Sequence, residues 1–237
     1  MTARRPRIRA VLFDLGGTLV EECDFNFLAE LARRLYLDVH PDQLAHHYVE
    51  LEREFDQKPP PADRERHLAE FWGAVLEGAA GKKLDPGTGE NFRRLLHEEE
   101  HPIHLYSDVR RCLARVRTAG RSLAVVSNSS SEAAVRRILD RGGILGYFDR
   151  VFSSGTEGVA KPDPEIFRRA LRRLRVPPEE AVHVGNLAVT DARAARSAGL
   201  HALWLNRYGT GLGLDPPEIT SLLEVPLWVR RYERGTA

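Results

Sequence analysis

Hydrophobic and polar positions change rhythm twice along this 237-residue chain. Ala10 to Phe13 is an unbroken apolar run without a helical stripe, which predicts a strand buried on both faces, and it stops at Asp14. From residue 21 to residue 102 the apolar positions recur at helical spacing instead. Phe27, Leu28, Leu31 and Leu35 share one face, and Leu44, Tyr48, Leu51 and Phe55 share the next, after Pro41 and Asp42. Lys58-Pro59-Pro60-Pro61 breaks that second helix. Leu68, Trp72 and Val75 mark a third, stopping near Gly78 to Gly81, and Phe92, Leu95 and Leu96 a fourth, before Pro102. Such stripes predict four helices that pack as a small bundle.

After residue 103, strands and helices alternate. Ser107 to Ala119 reads as a helix closed by Gly120, and Leu123 to Val126 as a strand ending at Ser127-Asn128. A helix over Ser131 to Asp140 and a strand over Arg150 to Ser153 follow, and the chain then passes Gly155 and Gly158 to reach Lys161. Pro162-Asp163-Pro164 predicts a helix start, with Asp163 as N-cap and Pro164 in the first helical position. Ala181 to Val184 is a strand ending at Gly185-Asn186, Thr190 to Ser197 a helix stopped by Gly199, and His201 to Leu205 a fifth strand. Alternation of this kind predicts a parallel sheet covered on both faces. The apolar residues between Ile219 and Trp228 are expected to pack on that core. The fold class is therefore α/β: a Rossmann-like parallel sheet core formed by 1–20 and 103–237, with an inserted helical-bundle cap domain over 21–102.

Composition narrows the partners. Hydrophobic residues make up 42% and charged residues 29%, as in a globular protein with a sizeable core. A formal net charge of +1 favours neither nucleic acid nor an anionic membrane as main partner. The two cysteines, Cys23 and Cys112, have no metal or disulfide spacing, so a reducing cytoplasm is expected. Arg4, Arg5, Arg7 and Arg9 precede an apolar run too short for a signal peptide, and no stretch is long enough to span a membrane. Lysine occurs only at 58, 82, 83 and 161, which sets Lys161 apart from its arginine-rich surroundings.

Chemistry enters through placement. Asp14 ends a buried strand, and Gly16 and Gly17 then let the backbone turn sharply near a ligand. Ser127, Lys161 and Asn186 each follow a strand or the loop leaving one. In a parallel sheet those ends share one edge, so a carboxylate, a hydroxyl, an ammonium and an amide converge there, with Asp191 five residues past the amide. This set suits an anionic substrate, held by the Lys161 charge, the Ser127 hydroxyl and backbone N–H groups of the Gly16–Gly17 turn. Taken singly, Ser127 and Asn128 also read as helix caps, Lys161 as a loop lysine and Asp191 as an early-helix carboxylate. His183, in a buried strand, reads as a core histidine.

Four stretches in order resemble the haloacid dehalogenase superfamily with a helical cap: FDLGGTL at Phe13 to Leu19, VVSN at Val125 to Asn128, KPDPEIF at Lys161 to Phe167 and HVGNLAVTDARAARSAG from His183 to Gly199. The resemblance implies Asp14 as a nucleophile that, in phosphatase members, forms an aspartyl-phosphate. It implies Ser127 as the hydroxyl on the transferring group and Lys161 as the cation that offsets the charge of nucleophile and substrate. Asp14, the Gly16 carbonyl, Asn186 and Asp191 stand at the family's magnesium positions, Thr18 at a residue ordering the nucleophile loop. With Gly16, Gly17 and Asn128, Thr18 completes the expected substrate-binding set. The implied substrate is small and anionic, a phosphate ester, and the implied cofactor is Mg2+.

Two positions depart from the phosphatase pattern. Gly16 stands where those members carry a second Asp as general acid and base, and Asn186 where they carry an Asp. Loss of such an acid slows the reaction by about 10²–10⁴-fold, and an amide oxygen holds a hard cation more weakly than a carboxylate. Three readings follow: a magnesium-assisted phosphatase suited to good leaving groups, a metal-free hydrolase like the 2-haloacid dehalogenases, or a binding protein on the retained fold. The dehalogenases share the missing Asp and the Asn, but they carry a bulky aromatic at the position of Gly16 and a shorter Asn–Asp spacing. The cap is expected to decide the substrate, with His46, His47, Arg53, Lys58, Arg64, Arg66 and Trp72 as candidates. Each alone reads as a solvated helix face, or as a core contact for Trp72.

Overall fold

A computed structural model describes residues 5–21, 24–56, 64–98, 103–129, 131–207 and 217–236. The chain forms two compact units, Met1–Glu21 with Ile103–Ala237, and Glu22–Pro102.

The first unit is built on a parallel sheet. Its elements in order are β1 (Ala10–Phe13), then, beyond the helical unit, α5 (Val109–Thr118), β2 (Ser122–Ser127), α6 (Glu132–Arg141), β3 (Arg150–Ser153), α7 (Ser154–Glu157), α8 (Glu165–Leu174), β4 (Ala181–Gly185), α9 (Ala194–Ser197), β5 (His201–Leu205), β6 (Glu218–Ile219) and α10 (Val225–Arg234). Strand order is β3-β2-β1-β4-β5-β6, with every pairing parallel. β1 is central, with Phe13 level with Val125 on one side and Val184 on the other.

Alternate residues of β1 point to opposite faces, as the strand period requires. Val11 and Phe13 join the layer completed by Val109 and Leu113 of α5, Val135 and Leu139 of α6, and Val225 and Val229 of α10. Ala10 and Leu12 join the layer completed by Ile166, Phe167 and Ala170 of α8 and Ala194 and Ala195 of α9. Both faces are covered, which is why β1 reads as a continuous apolar run rather than an alternating one.

Three local details differ from the sequence reading. α8 begins at Glu165, not Pro164; Pro164 has no N–H to offer, so the Asp163 carboxylate accepts from Glu165 N–H at 2.9 Å. The helix after β4 begins with a π turn over Ala188–Arg193 before α9. The tail adds the two-residue strand β6, joined through Asn206 N–H to the Ile219 carbonyl at 2.8 Å, a segment too short to leave a periodic signal.

The second unit holds α1 (Phe25–Arg34), α2 (Pro41–Asp56), α3 (Arg64–Ala80) and α4 (Thr88–Glu98). Asp24 caps α1 by accepting from the N–H groups of Asn26 and Phe27. Leu28, Leu31, Leu44, Val75, Leu76 and Phe92 form its buried centre, with Tyr48 and Trp72 packed against it. On α3 the buried face runs Phe71, Val75, Ala79 rather than through Leu68 and Trp72, which are half-buried. The Lys58–Pro61 break and Cys23 fall outside the described residues.

Candidate active site

Asp14 leaves β1 at the carboxyl edge, its N–H held by the Val184 carbonyl at 2.9 Å. The chain then folds into a tight loop: Gly17 N–H donates to the Val20 carbonyl at 2.9 Å, and Gly17 adopts φ +66°, a conformation that favours glycine. A Cβ at Gly17 would also fall 2.7 Å from Asn186 Cγ, so the amide of Asn186 rests directly on this loop. Gly16 keeps a negative φ.

Lys161 reaches the same edge from the loop between α7 and α8. Its ammonium donates to Asp14 Oδ1 and to Asp191 Oδ1, both at 2.5 Å, with the lysine itself 3% exposed. Burial alone would lower the Lys161 pKa, but the opposing charges of Asp14 and then Asp191 outweigh it and hold the ammonium above its usual range. Burial likewise works to raise Asp191; the Lys161 charge and the His183 hydrogen bond overcome it and hold the carboxyl well below the ordinary carboxylate range. The row therefore sets the Lys161 ammonium between two carboxyl side chains.

Asp191 is fully buried and both of its oxygens accept hydrogen bonds. Oδ1 faces Lys161 and, at 3.1 Å, His183 Nε2, while Oδ2 accepts from Leu187 N–H at 3.1 Å. Three donors thus hold Asp191, two on Oδ1 and one on Oδ2. Asp191 sits within the π turn, and Gly185 makes its approach possible, because a Cβ at Gly185 would collide with the Asp191 carboxylate. His183 is buried against Phe167, with ring centroids 4.7 Å apart. Its Nδ1 has no hydrogen-bond partner, and burial keeps the imidazole below its usual pKa against the pull of Asp191.

Several expected ligand contacts are spent within the protein. Asn128 does not offer its amide to the crevice: Nδ2 donates to the Lys161 carbonyl at 2.8 Å and Oδ1 accepts from Lys161 N–H at 2.9 Å. It fixes the backbone that carries the ammonium. Thr18 is fully buried, with its hydroxyl 3.4 Å from Asn186 Oδ1, so it orders the loop. The Gly17 N–H points at Val20 rather than outward. Ser127 closes β2 one residue before Asn128, opposite Ser153 of β3, and is largely buried.

Sequence reasoning missed a second polar group at this edge. Arg207, just past β5, pairs with Asp108 through Nη1 at 3.0 Å and Nη2 at 3.1 Å, and Nη2 donates to the Thr18 carbonyl at 2.8 Å. Its guanidinium lies 3.7 Å from the Tyr106 ring centroid. Asp108 also accepts from Ser221 Oγ and Leu222 N–H. Trp204 Nε1 holds the Asn186 carbonyl at 2.9 Å. No local signal marks Arg207, because it lies 99 positions from Asp108 and 189 from Thr18.

The candidates from residues 21–102 belong to the helical unit. His46 and His47 face Glu50, Arg66 pairs with Glu70, and Trp72 packs on Tyr48, Phe71 and Phe92. Lys58 and the side chains of Arg53 and Arg64 fall outside the described residues.

A doubly wound parallel sheet with an acid–lysine–acid row at its carboxyl edge defines an α/β protein with a carboxylate-centred site. The chain belongs to the haloacid dehalogenase-like hydrolase family, whose model matches residues 8–199. It is 32% identical over 227 residues to a phosphoserine phosphatase of Thermus thermophilus, covering 93% of this chain and 89% of the relative. It is 31% identical over 211 residues to a glyceraldehyde 3-phosphate phosphatase of Methanopyrus kandleri, 84% of each. The solved structure of a 2-haloacid dehalogenase from Pseudomonas syringae pv. Tomato DC3000 matches with TM-score 0.61 and 27% identity, over 95% of this chain and 99% of that one. The protein is a hydrolase of this family. Among the described residues, no helix is long and apolar enough to cross a membrane.

Proposed function

We propose that the protein is a phosphatase acting on a small phosphorylated metabolite through a covalent aspartyl-phosphate on Asp14. The contact that carries this reading is the buried Lys161 ammonium, 2.5 Å from Asp14 Oδ1. A carboxylate attacking a phosphate ester meets a second anion, and a fixed cation against the attacking oxygen offsets that repulsion without reorganising during the reaction. Asp14 Oδ would form the bond to phosphorus as the ester oxygen leaves with its electron pair. Water would then attack the phosphoryl group, releasing phosphate and restoring Asp14. Ser127 would donate to the transferring group, Asn128 would hold Lys161 in place, and Asp191, fixed by His183 and Leu187 N–H, would aim the ammonium. The phosphatase relatives support this class of substrate.

The oxygen set suits Mg2+, an ion that commonly takes one or two carboxylates, substrate phosphate oxygens and several waters. Asp14, the Gly16 carbonyl and Asn186 Oδ1 would hold it, since Asn186 lies on the nucleophile loop. Asp191 would join through Oδ2, which accepts from Leu187 N–H and keeps a second lone pair, whereas Oδ1 is shared by Lys161 and His183. When bound, the ion supplies positive charge to the phosphoryl oxygens. With Gly16 offering no acid, the leaving group must depart as an anion or take its proton from water, which favours aryl and acyl phosphates.

The test is phosphate release from an aryl phosphate, with and without Mg2+, by the parent and Asp14→Asn. Activity that requires Asp14 and rises with Mg2+ is expected. Gly16 has a backbone conformation open to an L side chain, so Gly16→Asp should raise the rate by about 10²-fold or more if the missing acid limits it. Asn186 and the likeness to a dehalogenase structure favour a second reading, metal-free displacement of halide by Asp14. Halide release from 2-chloropropionate in EDTA, with no phosphate release, would establish it in place of the first.

A further inference from the structure

Away from the sheet edge, α2 carries another cluster of ligating groups. His46, His47 and Glu50 occupy a single turn, and their donor atoms all lie within 4.8 Å of one another. His46 Nε2 is 3.4 Å from Glu50 Oε2, and His47 Nδ1 is 3.7 Å from the same oxygen. The two imidazoles meet edge to face with centroids 5.1 Å apart. Among the described residues, no other group of three His, Cys, Asp or Glu side chains converges in this way.

One ligand is held in place by a neighbouring helix. The His47 ring lies against Gly78 of α3, where a Cβ would come within 2.7 Å of both Cγ and Nδ1. Glycine inside a helix costs roughly 1 kcal/mol relative to alanine, yet α3 runs through Gly78 without interruption. Any larger residue would push the imidazole off. The ring is thus half-buried between two helices, while His46 and Glu50 stay exposed and free to adjust.

We infer that His46, His47 and Glu50 form a binding site for a late first-row divalent cation, with zinc as the reference ion. Zinc bonds to imidazole and carboxylate at about 2.0–2.2 Å, which in tetrahedral geometry sets neighbouring donors about 3.4 Å apart. Two of the three edges already stand at 3.4 and 3.7 Å; rotation of the exposed His46 side chain closes the third. Two nitrogens and one carboxylate select ions of the zinc class over magnesium or calcium, which take oxygen. Three protein ligands leave a fourth position for water. The bound ion would clasp one turn of α2 and, through His47, brace it on α3, so it would bind the folded unit and stabilise it. This site is independent of the phosphatase reading.

Zinc titration of the full chain against a chromophoric chelator tests the proposal, in an Asp14→Asn background so that cations at the sheet edge do not contribute. A single equivalent is expected, and His47→Ala or Glu50→Gln should weaken it by about tenfold or more, equivalent to about 1.4 kcal/mol or more. Gly78→Ala changes no ligand and adds helix propensity, yet should weaken zinc as well by displacing His47. Glu50 is exposed, so its variant should fold normally and keep the test valid. Imidazole 15N spectra should shift at His46 Nε2 and His47 Nδ1 on adding zinc. Unchanged affinity in both His47→Ala and Glu50→Gln, or unmoved signals from these two rings, would overturn the assignment.

Discussion

In the helical unit the buried side chains are Leu28, Leu31, Leu44, Phe71, Val75, Leu76, Phe92 and their apolar neighbours; none of its described polar or charged side chains is buried. In the sheet unit Asp14, Asp108, Lys161, His183 and Asp191 are all buried beside an equally apolar core. Taking charges out of water is costly, and their mutual attraction repays it to the extent that lone pairs and protons find partners. The helical unit meets no such demand, and its stability rests on apolar area. The sheet unit meets the demand chiefly at its carboxyl edge, where buried charges are cross-linked into Asp14–Lys161–Asp191–His183 and Thr18–Arg207–Asp108–Ser221, and separately before β2, where buried Arg121 pairs with Glu233. The contrast locates the chemistry: polar burial is concentrated where loops from different strands meet.

The largest effect should come from breaking the first of these rows. Lys161→Met leaves two carboxylates facing each other without a cation, and is expected to destabilise the sheet unit by about 3–5 kcal/mol and to abolish turnover. Adding Asp191→Asn should recover much of the stability but none of the activity, measured by urea unfolding and phosphate release. Equal stability of the single and double variants would show that the row is not a coupled unit. In the helical unit, Leu76→Ala should cost about 2–5 kcal/mol through a cavity alone, with no dependence on pH.

Asp108 gives the comparison a pH axis. Burial works to raise its pKa, but hydrogen bonds from Arg207, Ser221 and Leu222 N–H prevail and hold it below the ordinary 3.8. The unfolded chain therefore takes up the proton first as pH falls. This contribution is complete above pH 3.8 and disappears as pH drops through it toward the folded value. Asp108→Asn should lower the neutral-pH melting temperature and flatten its acid limb; an unaltered acid limb would remove Asp108 from this role. The smallest effect is expected from Arg66→Gln, which removes an exposed i,i+4 pair with Glu70 on α3 and should leave the melting temperature unchanged.

Much of this was legible in the chain. Short apolar runs marked five of the six strands and 3.6-residue stripes the helical block, and the ends of those strands pointed to Asp14, Ser127, Lys161 and Asn186 as one edge. What misled was side-chain bookkeeping. Asn128, Thr18 and Gly17 were expected to face a ligand, but their hydrogen-bonding groups serve Lys161, Asn186 and Val20. A motif records which residue stands at a position and not which of its donors are already spent.

By itself the sequence determined most of the elements, because a strand or helix of several residues follows from local spacing; β6, the short α7 and the π turn left no such signal. It also determined that a carboxylate ends the central strand before a glycine turn. Tertiary structure decided the rest: that Lys161 lies between Asp14, 147 positions away, and Asp191, 30 positions away; that Asp191 is tied to His183 and the Leu187 N–H; and that Arg207 joins Asp108 to the nucleophile loop. These contacts depend on strand order and on how closely Gly17 and Gly185 let side chains approach the backbone. Local periodicity carries no information about either.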